Sequence, residues 1–182
     1  MSYTIYYHTA CKGFTGRATQ LIMILEEAGK PYTMLGADAY DGTPAFAAPF
    51  IRTPSGITIA QTAAIMMTLG EELGLAPKEP VLAAKAKQVE LDAADILSET
   101  ISKKLSENPE RAKKWAAHVE KLLAGGYAVG SSLTYADFSL YMITESLANE
   151  SEVIKAWRTK MEETKGVKGW KALGVPVLPP SK

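Results

Sequence analysis

The sequence predicts two domains. An α/β domain with a small mixed sheet covers residues 1–75, an all-helical domain covers 81–182, and a linker at 76–80 joins them. Three observations predict this. A strand pattern, a helix pattern and a second strand pattern follow one another between Tyr3 and Leu35, as in a right-handed βαβ unit. Two short apolar segments, Phe50–Ile51 and Ile57–Ile59, flank Thr53-Pro54-Ser55-Gly56, a hairpin turn in which proline presets one backbone angle and glycine tolerates positive φ. Past the proline-punctuated Leu75-Ala76-Pro77-Lys78-Glu79-Pro80, the composition shifts to helix formers.

Tyr3 to Tyr7 is rich in aromatic and β-branched residues and makes the first strand. Thr9 to Gly16 is a loop carrying Cys11 and Gly13. Arg17 to Ala28 has apolar residues at 21, 22, 24, 25 and 28, and Gly29 follows as the residue that ends the helix. Pro31 stops it, and Tyr32 to Leu35 is the second strand. Residues 36–47 are loop. After the hairpin, Gln61-Thr62 opens a helix with Ile65, Met66 and Leu69 at helical spacing.

In the second domain, Val81 to Leu105 reads as one long helix. Asn108-Pro109-Glu110 starts the next, with Asn as cap, Pro in the first turn and an acid at the positive end of the dipole. That helix runs to Leu123 and ends at Gly125-Gly126. Ser131 to Asn149 and Glu150 to Lys165 hold two more, and 166–182 is a Gly- and Pro-rich tail. Thr134 through Asp137 matches a capping box ahead of an apolar run.

Composition narrows the function. Twenty basic and twenty acidic residues cancel, and no basic patch forms, which argues against nucleic acid as a partner. No unbroken apolar run is longer than Leu21 to Leu25, which is too short to span a bilayer, so no membrane partner is expected. One cysteine excludes an internal disulfide, and two histidines without ligand spacing predict no metal. Without a basic leader before the first strand, the expected location is cytoplasmic.

The order Ala48-Pro49, an apolar pair, a turn, an apolar strand, then Gln61-Thr62-Ala-Ala-Ile65 resembles the glutathione-binding half of the soluble glutathione transferases. The string Gly130-Ser-Ser-Leu-Thr-Tyr-Ala-Asp137 resembles their helical domain, where such a motif begins a buried helix. The resemblance covers nearly the whole chain and is to the tyrosine-type, sigma-like members. It implies a thioredoxin-like domain of order βαβ-α-ββα with a cis bond before Pro49, then an all-α domain. Asp137 would satisfy backbone N–H groups in the core, and losing it would cost about 1–2 kcal/mol. The resemblance also implies glutathione as co-substrate, a small apolar electrophile as second substrate, a detoxifying transferase activity and a homodimer.

Glutathione chemistry needs a thiolate, and a free thiol ionises only near pH 8.5. Lowering that by about two units takes about 2.7 kcal/mol, within reach of a hydroxyl donor and a helix N-terminus. By the resemblance, Tyr7 at the end of the first strand is the donor. Tyr6 is its neighbour, and strand alternation lets only one of the two face a cleft. Gln61 and Thr62 would hold the γ-glutamyl end, with Ala48 and Pro49 beside the cysteinyl part. Asp92, in a polar row with Gln88, Asp95 and Glu99, would reach the ligand's amino group across a dimer interface, or else form a solvated acidic face. Arg17 is either a site residue or a salt-bridge partner at the helix start.

Cys11 is the rival centre. Cys11-Lys-Gly-Phe-Thr-Gly-Arg17 partly resembles the omega-type transferases, whose cysteine forms a mixed disulfide with glutathione, and the other reading is an ordinary loop thiol. Thr15 is a further hydroxyl candidate. The tail residues Trp170, Leu173, Val175, Val177 and Leu178 would either wall an apolar electrophile pocket or pack the tail onto the body. One departure stands out: 36–47 contains no Trp, Lys, Arg or Gln, the residues that usually meet the glycyl carboxylate of glutathione. A non-catalytic binding or scaffold module of the same fold, and a Cys11-dependent thiol transferase, are therefore the alternatives to the transferase.

Overall fold

The structure, a computed structural model, describes residues 2–8, 13–42, 44–148 and 151–177. The chain gathers into two compact units, Met1–Leu69 with Thr164–Lys182, and Gly70–Glu163.

The first unit is built on a four-stranded sheet of order β2-β1-β3-β4. Strand β1 (Tyr3–Tyr7) pairs in parallel with β2 (Tyr32–Gly36), and β3 (Phe50–Arg52) runs antiparallel to both β1 and β4 (Thr58–Ala60). The crossover from β1 to β2 is a 3-10 turn, Gly16–Ala18, leading into helix α1 (Thr19–Glu27). Leu21 to Leu25 are all fully buried, so α1 is covered all round, as a helix without a polar face must be. Gly29 closes it at φ +60, the left-handed conformation glycine adopts without cost.

Between β2 and β3 the described residues hold a 3-10 turn, Ala37–Ala39, in place of the helix that the βαβ-α-ββα order implies. Gly36, Gly42 and Pro44 punctuate the connection with residues that disfavour helix interiors. The hairpin turn sits where expected, with Gly56 at φ +88. Helix α2 (Thr62–Glu72) follows β4 directly.

The tail is not all coil. Helix α9 (Lys165–Ala172) is capped by Thr164, whose hydroxyl accepts from Val167 N–H, and it packs along α1. Gly169 permits the close approach: a Cβ there would lie 2.6 Å from the Glu26 carboxylate. Gly166 N–H donates to Glu27 Oε2 at 2.8 Å. These glycines are packing residues rather than helix breakers.

In the second unit, α3 (Pro80–Ile101) is capped by Glu79, which accepts from Val81 and Leu82 N–H at 2.9 Å. The single helix expected to Leu105 ends earlier. Lys103 adopts φ +61 and breaks the ladder before α4 (Lys104–Glu107). Helix α5 (Pro109–Leu122) starts at its Asn108 cap, and a 3-10 turn, Leu123–Gly125, ends it. Helix α6 (Tyr135–Ile143) is buried on every face and packs on α3; α7 (Glu145–Ala148) and α8 (Glu152–Glu162) complete the unit. The capping box is formed: Asp137, fully buried, accepts from Ala128 N–H, Thr134 N–H and the Thr134 hydroxyl at 2.8–2.9 Å. Burial pushes its pKa up, against these three donors, which favour the carboxylate.

Candidate active site in the sheet unit

Tyr7 ends β1, opposite Gly36 of β2. Its ring is 4% exposed and meets the rings of His8 and Phe14 edge-on. The hydroxyl oxygen accepts a hydrogen bond from Arg17 N–H at 3.2 Å. Gly16 makes that approach possible. It sits at φ +47, and a Cβ on it would lie 2.2 Å from the Tyr7 oxygen. The turn that starts α1 thus meets Tyr7 with bare backbone.

Tyr6 faces the other way, as strand alternation requires. Its ring packs edge-on against Tyr40 with centroids 5.3 Å apart, and Tyr40 stacks on Phe50 at 4.3 Å. The Arg52 guanidinium lies over the Tyr6 ring and is paired with Asp41. Tyr6 is a packing residue of the sheet.

At the other end of the unit, the Ala48–Pro49 bond is cis and leads directly into β3. Gln61 links β4 to α2 in a left-handed conformation at φ +69, uncommon for a residue with a side chain, and is exposed. The first N–H groups of α2, from Thr62 on, have no preceding helical carbonyl to bond and carry the positive end of the helix dipole. A groove of about 320 Å³ runs beside them, walled by residues 44–46 and 58–61. Among the described residues no charged side chain lines it.

The other sequence candidates fall as follows. Cys11 and Leu178 lie outside the described residues. Among the described residues the Arg17 guanidinium has no ion-pair partner; its backbone N–H is what reaches Tyr7. Thr15 is 2% exposed, and its hydroxyl is engaged by Trp170 Nε1–H at 3.0 Å and by the Thr19 hydroxyl at 2.6 Å. It is a structural hydroxyl rather than a donor to a ligand. Trp170 is buried against the body while Leu173 is half exposed, so this part of the tail is mostly packing.

In the helical unit, Asp92 Oδ2 is bonded to His118 Nε2 at 2.9 Å and accepts from Gln88 at 3.4 Å. Further along the same row, Glu99 takes Arg111, Lys104 and Trp115 together. The Arg111 guanidinium, helped by the other two donors, holds the Glu99 carboxyl down at about 2. The row is therefore bonded within its own unit rather than merely solvated. Spacing could not have found the His118 partner, which comes from α5, 26 residues away. Sequence reasoning also missed Glu90, 1% exposed on α3, whose carboxyl is pushed up to about 8 by burial.

Comparison with known proteins bears on both units. Residues 92–173 match the family described as "Glutathione S-transferase, C-terminal domain". No curated protein sequence matches the chain. Among solved structures, the glutathione S-transferase from Ascaris lumbricoides is 22% identical, with a TM-score of 0.78 over 100% of this chain and 99% of that one. A Caenorhabditis elegans glutathione S-transferase gives 22% and 0.78 over 94% and 97%. Prostaglandin synthase D of Nilaparvata lugens gives 20% and 0.77 over 94% and 98%.

Proposed function

For a chain that has the glutathione S-transferase fold and whose residues 92–173 match the family model of its C-terminal domain, we propose a tyrosine-type, sigma-like glutathione transferase that joins the thiolate of glutathione to small apolar electrophiles. The observation that carries the reading is the Tyr7 hydroxyl, held by Arg17 N–H over Gly16 at the end of β1. An oxygen that accepts from a peptide N–H donates its own hydrogen more strongly. Such a donor, aimed at the sulfur of glutathione, favours the thiolate over the thiol. The thiol proton leaves to solvent. The thiolate pair then forms the C–S bond as the electrophile's leaving group departs with its own pair, and no covalent bond to the protein is made.

The rest of the binding follows the same unit. The N-terminus of α2, with Gln61 and the Thr62 hydroxyl, suits the γ-glutamyl carboxylate. The backbone of Ala48 before Pro49 pairs with the cysteinyl part. The Arg17 guanidinium, without an ion-pair partner among the described residues, suits a carboxylate of the ligand, and Asp92, bonded to His118 and Gln88, keeps its carboxylate for the ligand's amino group across a dimer interface. A homodimer working in a cytoplasmic, detoxifying role completes the proposal; sedimentation at micromolar concentration tests the oligomeric state.

The test is titration of glutathione on the protein by calorimetry and by thiolate absorbance, with Tyr7→Phe alongside. The expected result is saturable binding and a bound-thiol pKa about two units below the free value, returned toward it in Tyr7→Phe with a 10- to 100-fold loss in kcat/KM. Unchanged values in Tyr7→Phe refute the role of Tyr7, and loss of activity in Cys11→Ala moves the centre to Cys11. The uncharged groove favours one second reading, a binding module without turnover; binding of glutathione with an unshifted thiol pKa would support it.

A further inference from the structure

We infer that the C-terminal segment of the first unit positions the Tyr7 hydroxyl, with Trp170 and the backbone of Pro176 and Val177 acting through Thr15 and Gly16. The inference rests on the proposed role of Tyr7 as thiolate donor.

The turn that approaches Tyr7 is not held by its own loop. Thr15 N–H donates to the Pro176 carbonyl at 2.9 Å, and Gly16 N–H donates to the Val177 carbonyl at 2.6 Å. The Thr15 hydroxyl lies 3.3 Å from the Pro176 carbonyl and accepts from the Trp170 indole at 3.0 Å. Two consecutive backbone donors and one buried hydroxyl are therefore satisfied by a segment some 155–161 residues further along the chain. The next residue, Arg17, is the one whose N–H bonds Tyr7. Gly16, between them, has its α-carbon directly beneath the Tyr7 oxygen.

The consequence is mechanical. Releasing the tail frees the N–H groups of Thr15 and Gly16, and buried donors without partners are costly enough to make the turn rearrange. A turn held left-handed at Gly16 has a nearby alternative, since glycine changes φ at little cost. Any such change moves Arg17 N–H off the Tyr7 oxygen and removes the donor that strengthens the phenol's own hydrogen bond to the sulfur. Trp170 and the tail backbone are positioning residues: they touch neither the reacting atoms nor the groove at the start of α2.

The experiment uses the full chain with Trp170→Phe, which keeps an aromatic ring, smaller than indole, and removes the N–H, and the pair Thr15→Val and Thr15→Ser. Glutathione and chlorodinitrobenzene are the probes, and the readouts are the bound-thiol pKa and the pH profile of kcat/KM. In Trp170→Phe and Thr15→Val we expect the thiol pKa to rise by about one unit. Activity should fall about fivefold near pH 6.5, approaching tenfold at lower pH, and converge with wild type near pH 9, where the thiolate forms unaided. The KM for glutathione should stay within about twofold, and Thr15→Ser should restore the wild-type profile.

A merely structural tail would lower the melting temperature and leave the pH profile unmoved, and that result overturns the inference. If Tyr7→Phe shifts the thiol pKa while Trp170→Phe and Thr15→Val do not, the tail's role fails and the role of Tyr7 stands. If Tyr7→Phe shifts nothing, or wild type binds no glutathione, both fail together. Should Thr15→Val not fold, Trp170→Phe decides alone.

Discussion

Replacing Glu90 by Gln should make the helical unit more stable, and increasingly so as pH rises. Glu90 sits on α3 where it packs against α6, with Ser139 and Tyr135 near it from α6 and Glu71 acting on Tyr135 from α2. Its Oε2 and the Ser139 hydroxyl have no hydrogen-bond partner among the described residues. Burial holds the carboxyl protonated up to about 8, against an ordinary value of 4.5. Between those values the folded chain keeps a proton that the unfolded chain releases. The folded state thus binds more protons, and stability falls as pH rises through this window, by about 1.4 kcal/mol per unit, and levels off above pH 8. The accumulated cost at neutral pH is about 3 kcal/mol. A glutamine carries no titrating proton, so its buried amide adds only a constant. The assay is urea unfolding of wild type and Glu90→Gln at several values from about pH 5 to about pH 8.5. The difference should widen by about 1.4 kcal/mol per unit up to about pH 8 and then stay flat. Parallel curves across that range would refute the argument.

Three further outcomes follow from close contacts. Asp137→Ala should destabilise by about 3 kcal/mol in chemical denaturation, because two backbone N–H groups and the Thr134 hydroxyl lose their acceptor in the core. Gly16→Ala should cost about 1–2 kcal/mol in thermal unfolding and raise the bound-thiol pKa, since its new methyl group meets the Tyr7 oxygen and φ +47 is strained for alanine. Gly70→Ala should cost about 1–3 kcal/mol with that pKa unmoved, because its Cβ would come 2.2 Å from the Tyr135 ring, far from Tyr7 in chemistry; equal stability to wild type would mean the ring has room to shift.

Much of this architecture is written locally. The first strand, the hairpin with its Gly56 turn, the Asn108 cap and the Thr134–Asp137 box each follow from residues within a few positions of one another, and each is in the structure. The misreadings have a common cause. Gly166 and Gly169 look like breakers, yet α9 forms: the missing side chain of Gly169 lets it lie against Glu26, and Gly166 N–H bonds Glu27 of α1. Lys103 ends α3 in a conformation its side chain does not favour, so nothing local announces it. At the candidate site, Tyr7 could be picked out from Tyr6 only by resemblance; the contacts that separate them come from Arg17, Gly16, Tyr40 and Arg52. Long-range partners, such as Trp170 for Thr15 and His118 for Asp92, leave no periodic trace for a reader of the sequence.

The packing of α9 on α1 sets the order in which this protein can be made. Residues 70–163 form one uninterrupted unit, whereas the unit that holds Tyr7 is closed by 164 onward. As the chain leaves the ribosome, α1 emerges and must keep its Glu26–Glu27 edge uncovered while 139 more residues are added, about 7–28 s at about 5–20 residues per second. The helical unit has time to fold in that interval. The turn that meets the Tyr7 hydroxyl acquires its support only when residues 170–177 arrive. A chain stalled or clipped before residue 170 would hold a finished helical unit and a Tyr7 turn without its support, so the arrival of residues 170–177 is the step that fixes that turn.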